Sequence, residues 1–187
     1  MMTLRYMDVQ FFNSLMHDIR KITVISDTHG IIDDQIISVL NDSDIIVHAG
    51  DIMSTSIIKK LKTYSKRVIA VAGNNDLPER YSDKEDKRIV TELKKVEQFS
   101  INNELVTVEH GDRFGNHPSH ADLRAAYPDS KLIIYGHTHN QVCDKSKSPW
   151  VVNPGAAGHT RNNDGGPCYM QILIDNDNWE IKSHCVK

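Results

Sequence analysis

The sequence predicts an α/β domain of two mixed β-sheets with helices on the outside. Three observations carry that expectation. Short apolar runs at Ile22–Ile25, Ile45–His48 and Val68–Val71 alternate with stretches of helical spacing, as right-handed βαβ crossovers around a parallel sheet require. From about Ile89 the apolar period shortens to two, the spacing of half-buried strands. The chain has 187 residues, 39% of them hydrophobic, enough for one domain with a core that two packed sheets can share.

The elements follow in order. Residues 1–20 form an N-terminal extension and residues 21–187 the single domain. The extension places Phe11, Phe12, Leu15 and Met16 on one helical face; alternatively the start is over-called, since Met7 and Met16 also precede the first strand. Asp33 caps a helix through about Leu40, with Ile36, Ile37 and Leu40 facing inward. Ser54 or Thr55 caps a second helix that carries Ile57, Ile58 and Leu61. Leu77–Lys87 is polar, holds Pro78, and reads as irregular. Val96, Phe99 and Ile101, then Leu105, Val106 and Val108, flank an Asn102-Asn103 hairpin turn. Ser119 caps a helix to about Tyr127, and Leu132–Tyr135 is again a strand. Short strands near Val142 and Trp150–Val152 precede a closing hairpin, Cys168–Ile174 with Trp179–Cys185.

Composition excludes several classes of function. A net charge of −3 argues against a general nucleic-acid or membrane binder. No apolar run is long enough to span a bilayer, and the first twenty residues lack the core of a signal peptide. Three cysteines with no CxxC spacing point to reduced thiols in the cytoplasm, with no disulfide and no zinc ribbon. Cys143 reads as a small core residue.

Chemistry gathers where the strands stop. Asp27 and His29, Asp51, Asn74, His110, and His137 with His139 each follow an apolar run, most of them beside a glycine. Ligands at the exits of strands are where open α/β sheets build sites. Singly, each has a plainer explanation: Asp27 and Asp51 as helix caps, Asn74 as a turn residue, the histidines as loop residues. Together they are carboxylates, imidazoles and an amide oxygen, seven groups in all, too many for one ion. Two divalent ions would use them. Mixed His and carboxylate ligands suit manganese first, or iron, zinc, cobalt or nickel, over calcium. Paired ions about 3.5–4 Å apart commonly serve hydrolytic phosphate chemistry.

Asp27-x-His29, Gly50-Asp51, Gly73-Asn74-x-Asp76, His110-Gly111 and Gly136-His137-x-His139 resemble, in order and spacing, the five motifs of the calcineurin-like metallophosphoesterases. Asn153-Pro154-Gly155 after the last pair is similar to the small bacterial and archaeal phosphodiesterase branch, which is related to the retromer scaffold subunit. The resemblance implies a four-layer α/β/β/α sandwich. It implies one ion held by Asp27, His29 and His139, another by Asn74, His110 and His137, and Asp51 bridging them. It implies a small phosphoester substrate, most readily a phosphodiester, attacked in line by a hydroxide shared between the ions, with catalytic help from His110 and Asn74. A homodimer is plausible from the branch and from an exposed edge strand.

Two departures stand out. Asn75 occupies a position that is often His, the acid for the leaving group, and an amide cannot donate a proton at a useful pKa. Asp112 stands where the branch often has a second His and is expected to orient a ligand imidazole. Asp76 is expected to support a ligand loop. His117 could reach substrate and Arg161 could bind phosphate, though both also read as solvated loop residues. The alternative function is a non-catalytic scaffold like the retromer subunit; seven intact ligand positions favour an enzyme, and Asn75 is the one feature against it.

Overall fold

The computed structural model describes residues 20–158 and 165–186. Residues 1–19, His159 and Arg161 lie outside the described residues, and with them the N-terminal helix and the phosphate-binding arginine expected above. The elements run β1 (Arg20–Ile25), α1 (Asp34–Leu40), β2 (Ile45–His48), α2 (Thr55–Tyr64), β3 (Arg67–Ala70), α3 (Lys84–Glu92), β4 (Val96–Ile101), β5 (Glu104–Glu109), α4 (His120–Ala126), β6 (Leu132–Ile134), β7 (Gln141–Asp144), β8 (Trp150–Pro154), β9 (Cys168–Asp175) and β10 (Asn178–Cys185).

Ten strands make two mixed sheets, ordered β10-β9-β1-β2-β3 and β4-β5-β6-β8-β7. The centre of each is parallel: β1 with β2 and β3, and β5 with β6 and β8. Antiparallel hairpins close the flanks. Alternate residues of the apolar runs separate the layers. Ile22, Val24, Ile45, Val47, Val106, Val108, Leu132, Ile134, Met170 and Ile172 fill the space between the sheets. The residues between them face outward. Ile46 meets Ile36, Leu40, Ile57, Ile58 and Leu61 of α1 and α2, and Ile133 and Val151 meet Leu123 of α4. The result is the four-layer α/β/β/α sandwich. Both crossovers from β1 to β3 place the strand exits on one edge, and the chemistry collects there.

Three expectations are corrected. Leu77–Lys87 is not irregular throughout, because α3 begins at Lys84. Its signal is local: Asp83 accepts hydrogen bonds from the N–H groups of Glu85 and Asp86, and Arg88 pairs with Glu85 and Glu92. Val90 is its one buried residue, so no apolar stripe announces it. Second, Cys168 and Cys185 form a disulfide, so the thiols are not all reduced. They are directly opposed on β9 and β10. The Val186 N–H donates to Pro167 C=O, which frames them as a non-hydrogen-bonded pair, the class whose side chains come closest. Third, Cys143 is exposed on edge strand β7 rather than in the core. Among the described residues no helix is long and apolar enough to cross a membrane.

Candidate metal centre

Five loops at the strand exits carry the site. After β1 the chain turns at Ser26-Asp27-Thr28-His29, after β2 at Ala49–Met53, after β3 at Gly73–Asp76, after β5 at His110-Gly111, and after β6 at Gly136–His139. Asp27, His29, Asp51, His137 and His139 all have left-handed backbones, with φ between 46° and 69°. That conformation costs a non-glycine residue about 1–2 kcal/mol, so five of the seven candidate ligands sit in strained backbone. Such clustering is what functional sites show.

The loops are tied to one another. Asp27 N–H donates to Gly50 C=O, His29 N–H to Asp51 C=O, and Gly30 N–H to Ile52 C=O. Beneath them His48 is fully buried. Gly50 N–H donates to its Nδ1, so its Nε2–H faces Thr28 Oγ1 at 3.0 Å, and that hydroxyl donates to Ile52 C=O. Burial is the main reason the His48 pKa falls to about 4, which keeps the ring neutral as this chain of bonds requires. Two glycines allow the loops to meet. A Cβ on Gly73 would collide with Asp51 Oδ1, and one on Gly136 would collide with Ser26 Oγ and crowd Asp27 Oδ2.

Five of the predicted ligands converge in two groups, Asp27-His29-His139 and Asp27-Asp51-His110. His29 Nε2 and His139 Nε2 face each other at 3.1 Å, and His139 Nε2 lies 3.3 Å from Asp27 Oδ1. His110 Nε2 lies 3.4 Å from Asp51 Oδ1 and 4.0 Å from Asp27 Oδ1. Asp51 turns its second oxygen toward His29 Nε2, 3.9 Å away. Its carboxylate therefore faces both groups, the orientation a bridging ligand needs, while Asp27 belongs to both by proximity. His137 stands beside them, its ring 5.1 Å from that of His110, and its backbone N–H donates to Asp27 Oδ2. Asn74 is exposed at the rim and hydrogen-bonds to none of the other six.

The donor set fits divalent ions. Asp27 Oδ1 and His110 Nε2 are buried without a hydrogen-bond partner, and both point into the cluster. Unpaired buried polar atoms cost about 1–3 kcal/mol each, so a ligand is the natural reason for them. His110 Nδ1 donates to Ala49 C=O at 2.8 Å, leaving Nε2 as the lone-pair nitrogen in the neutral ring. His139 and His29 likewise aim Nε2 inward.

Supporting residues surround this set. Asn75 donates its N–H to Asp51 Oδ1 at 2.8 Å and its amide to Oδ2 at 2.7 Å, so it orients the bridging carboxylate. Burial raises the Asp51 pKa, but the facing His110 and these two Asn75 bonds outweigh it and hold the carboxyl well below its usual range. Asp76 is buried and accepts from the N–H groups of Ile52, Met53 and Gly73, locking the β2 and β3 exits together. Asn153, also buried, donates to Gly136 C=O and Thr138 Oγ1 and so props the loop of His137 and His139. Asp112 hydrogen-bonds to no ligand imidazole and reaches His137 only as a nearby charge; the expected orienting bond is absent. His117 is exposed in the loop before α4. Sequence reasoning passed over Thr28, which looks like filler between two ligands, and Met53, whose Sδ lies 3.0 Å from His29 Nδ1.

Protonation couples to metal. Burial alone would lower the His110 pKa, but Asp51 and Asp27 overcome it and raise it to about 9. Ligation needs the neutral ring, so ion uptake is expected to release about one proton, and affinity to rise roughly tenfold per pH unit below 9. Titration calorimetry in buffers of different ionisation heat checks this; uptake without proton release would refute it. In the metal-free protein the raised His110 pKa adds stability that is complete below its unfolded value of about 6.5 and is lost as pH rises through 9. The lowered His48 pKa acts oppositely, with stability lost as pH falls from 6.5 toward 4. Thermal melts with chelator should therefore peak near neutral pH.

Residues 21–177 match the model of the calcineurin-like phosphoesterase superfamily domain. A phosphodiesterase of Methanocaldococcus jannaschii is 31% identical over 144 residues, 72% of this chain and 82% of that protein. A probable metallophosphoesterase of Mycoplasma genitalium is 29% identical over 164 residues, covering 84% and 89%. Among solved structures, vacuolar protein sorting 29 of Cryptosporidium parvum superposes with a TM-score of 0.69 at 17% identity, covering 90% of this chain and 99% of that one. An archaeal phosphodiesterase superposes with a TM-score of 0.65 at 26% identity, covering 89% and 99%.

Proposed function

The chain belongs to the calcineurin-like phosphoesterase superfamily, and from that premise we propose that it is a dinuclear metal-dependent phosphodiesterase acting on a small phosphoester. The observation that carries the reading is the Asp51 carboxylate facing both ligand groups, with Asp27 Oδ1 and His110 Nε2 left unpaired beside it. Asp27, His29 and His139 would hold one ion, Asn74, His110 and His137 the other, and Asp51 both. When bound, two such ions supply an activated water for in-line attack on phosphorus and positive charge for the phosphoryl oxygens. Manganese is the first expectation.

The chain's own part is placement. Asn75 holds both Asp51 oxygens and is not aimed outward as a proton donor. Leaving groups that need little protonation, such as aryl oxides, should therefore be released most easily. Asn74 and His110 would add charge stabilisation at the transferred group. Metal analysis with turnover of an aryl phosphodiester tests the reading. Two ions per chain with metal-dependent hydrolysis are expected. Stoichiometric metal with no hydrolysis would favour the scaffold alternative instead.

A further inference from the structure

We propose that Ile31 and Met53 form an apolar shelf beside the metal centre that receives a flat aromatic substituent of the diester. The inference rests on the phosphodiesterase reading above. Among the described residues these two are the exposed large hydrophobic side chains, at 58% and 36% exposure. The other large apolar groups among the described residues are buried or half-buried. Their position is not scattered: each lies two residues beyond a ligand, Ile31 after His29 and Met53 after Asp51.

The two loops run side by side, joined through His29 N–H to Asp51 C=O and Gly30 N–H to Ile52 C=O. Met53 reaches the site itself, with Sδ 3.0 Å from His29 Nδ1. It is held there against its preference, since its φ is 57° and its N–H is fixed on Asp76 Oδ1 at 2.8 Å. A strained residue pinned by a buried carboxylate, displaying a thioether next to a ligand, is preorganised for contact. Thioethers and aliphatic branches pack well on aromatic faces. Ions held by these ligands would take the phosphoryl oxygens, which would leave an ester group beside the loops after β1 and β2, where Ile31 and Met53 stand exposed.

The test uses three diesters with one leaving group, p-nitrophenolate, and a methyl, phenyl or thymidine-5′-yl group on the other oxygen. The metal-loaded enzyme is expected to prefer phenyl over methyl by about tenfold in kcat/KM, the discrimination a modest apolar contact gives. Ile31→Ser should bring that ratio toward one through KM, while Ile31→Leu and Met53→Leu keep it. A thymidine ester that behaves like phenyl would identify a nucleobase as an accepted occupant; one that behaves like methyl would restrict the shelf to simple aryl groups. Equal rates for phenyl and methyl, or a ratio unmoved by Ile31→Ser, would overturn the shelf and leave the phosphodiesterase standing. No turnover of any of the three with metal bound would overturn the phosphodiesterase reading itself.

Discussion

Replacing Asp51 with Asn should cost the protein its metal and its activity while leaving its fold in place. The carboxylate faces His110 Nε2 at 3.4 Å and His29 Nε2 at 3.9 Å, so one substitution strikes both halves of the site. An amide keeps the shape but turns an NH2 group toward one side, and there it also meets the Asn75 amide that now donates to Oδ2. Bound metal should fall well below two per chain, and hydrolysis of an aryl diester should drop on the order of a thousandfold. The stabilisation that added metal gives, about 2.7 kcal/mol per site at a hundredfold excess over Kd, should shrink accordingly. The metal-free variant should still fold but melt below the wild type near neutral pH, because the charge that raises the His110 pKa is gone and the Asn75 amide loses a charged acceptor. Elemental analysis and melting curves with and without metal check each part. A variant with full metal content and full activity would remove Asp51 from the centre.

Asp76→Ala should be the most damaging change to the scaffold of the site. This carboxylate takes three backbone N–H groups from two loops, and no water-exposed route can replace it at 4% exposure. Bonds to a charged acceptor are worth about 1.5–3 kcal/mol each, and leaving buried donors unpaired adds to the loss. A fall in stability of at least about 3 kcal/mol is expected, roughly 10 °C in Tm for a chain of this size. Activity should fall even at temperatures where the variant is folded, since Asp51 rides on the freed loop. Full activity in a folded Asp76→Ala protein would show that the lock is not needed for the ligands.

Much of this was legible in the residues because it is periodic or local. The apolar runs that became β1, β2 and β6 repeat at strand spacing, and their polar stops at Asp27, Asp51 and His137 stand one after another in the chain. Asp33 and Ser119 cap their helices with side-chain bonds, and Ser54 holds the cap position of α2 without one; all three announce helices within three residues. What could not be read depends on register or on sparse burial. Cys168 and Cys185 are 17 residues apart and meet only because the hairpin pairs them directly. Helix α3 buries one side chain and so leaves no stripe. The role of Asn75 reads as a missing acid in the sequence, whereas in space it is a clamp on Asp51. Asp112 illustrates the reverse: adjacency to His110 in the chain promised a contact that the turn after Gly111 carries away.

The left-handed backbone at Asp27, His29, Asp51, His137 and His139 has a consequence for how this chain would change over generations. Each of these residues stores conformational energy that the surrounding loop contacts must offset. Glycine at any of them would relax about 1 kcal/mol. Lineages freed from the need for metal should therefore lose the His29, His137 and His139 side chains early, before Asp27 and Asp51, whose carboxylates also accept hydrogen bonds from His137 and Asn75, while the two sheets persist. A laboratory drift experiment under selection for folding alone, in chelator, should enrich glycine at these positions before it touches Ile22 or Val47.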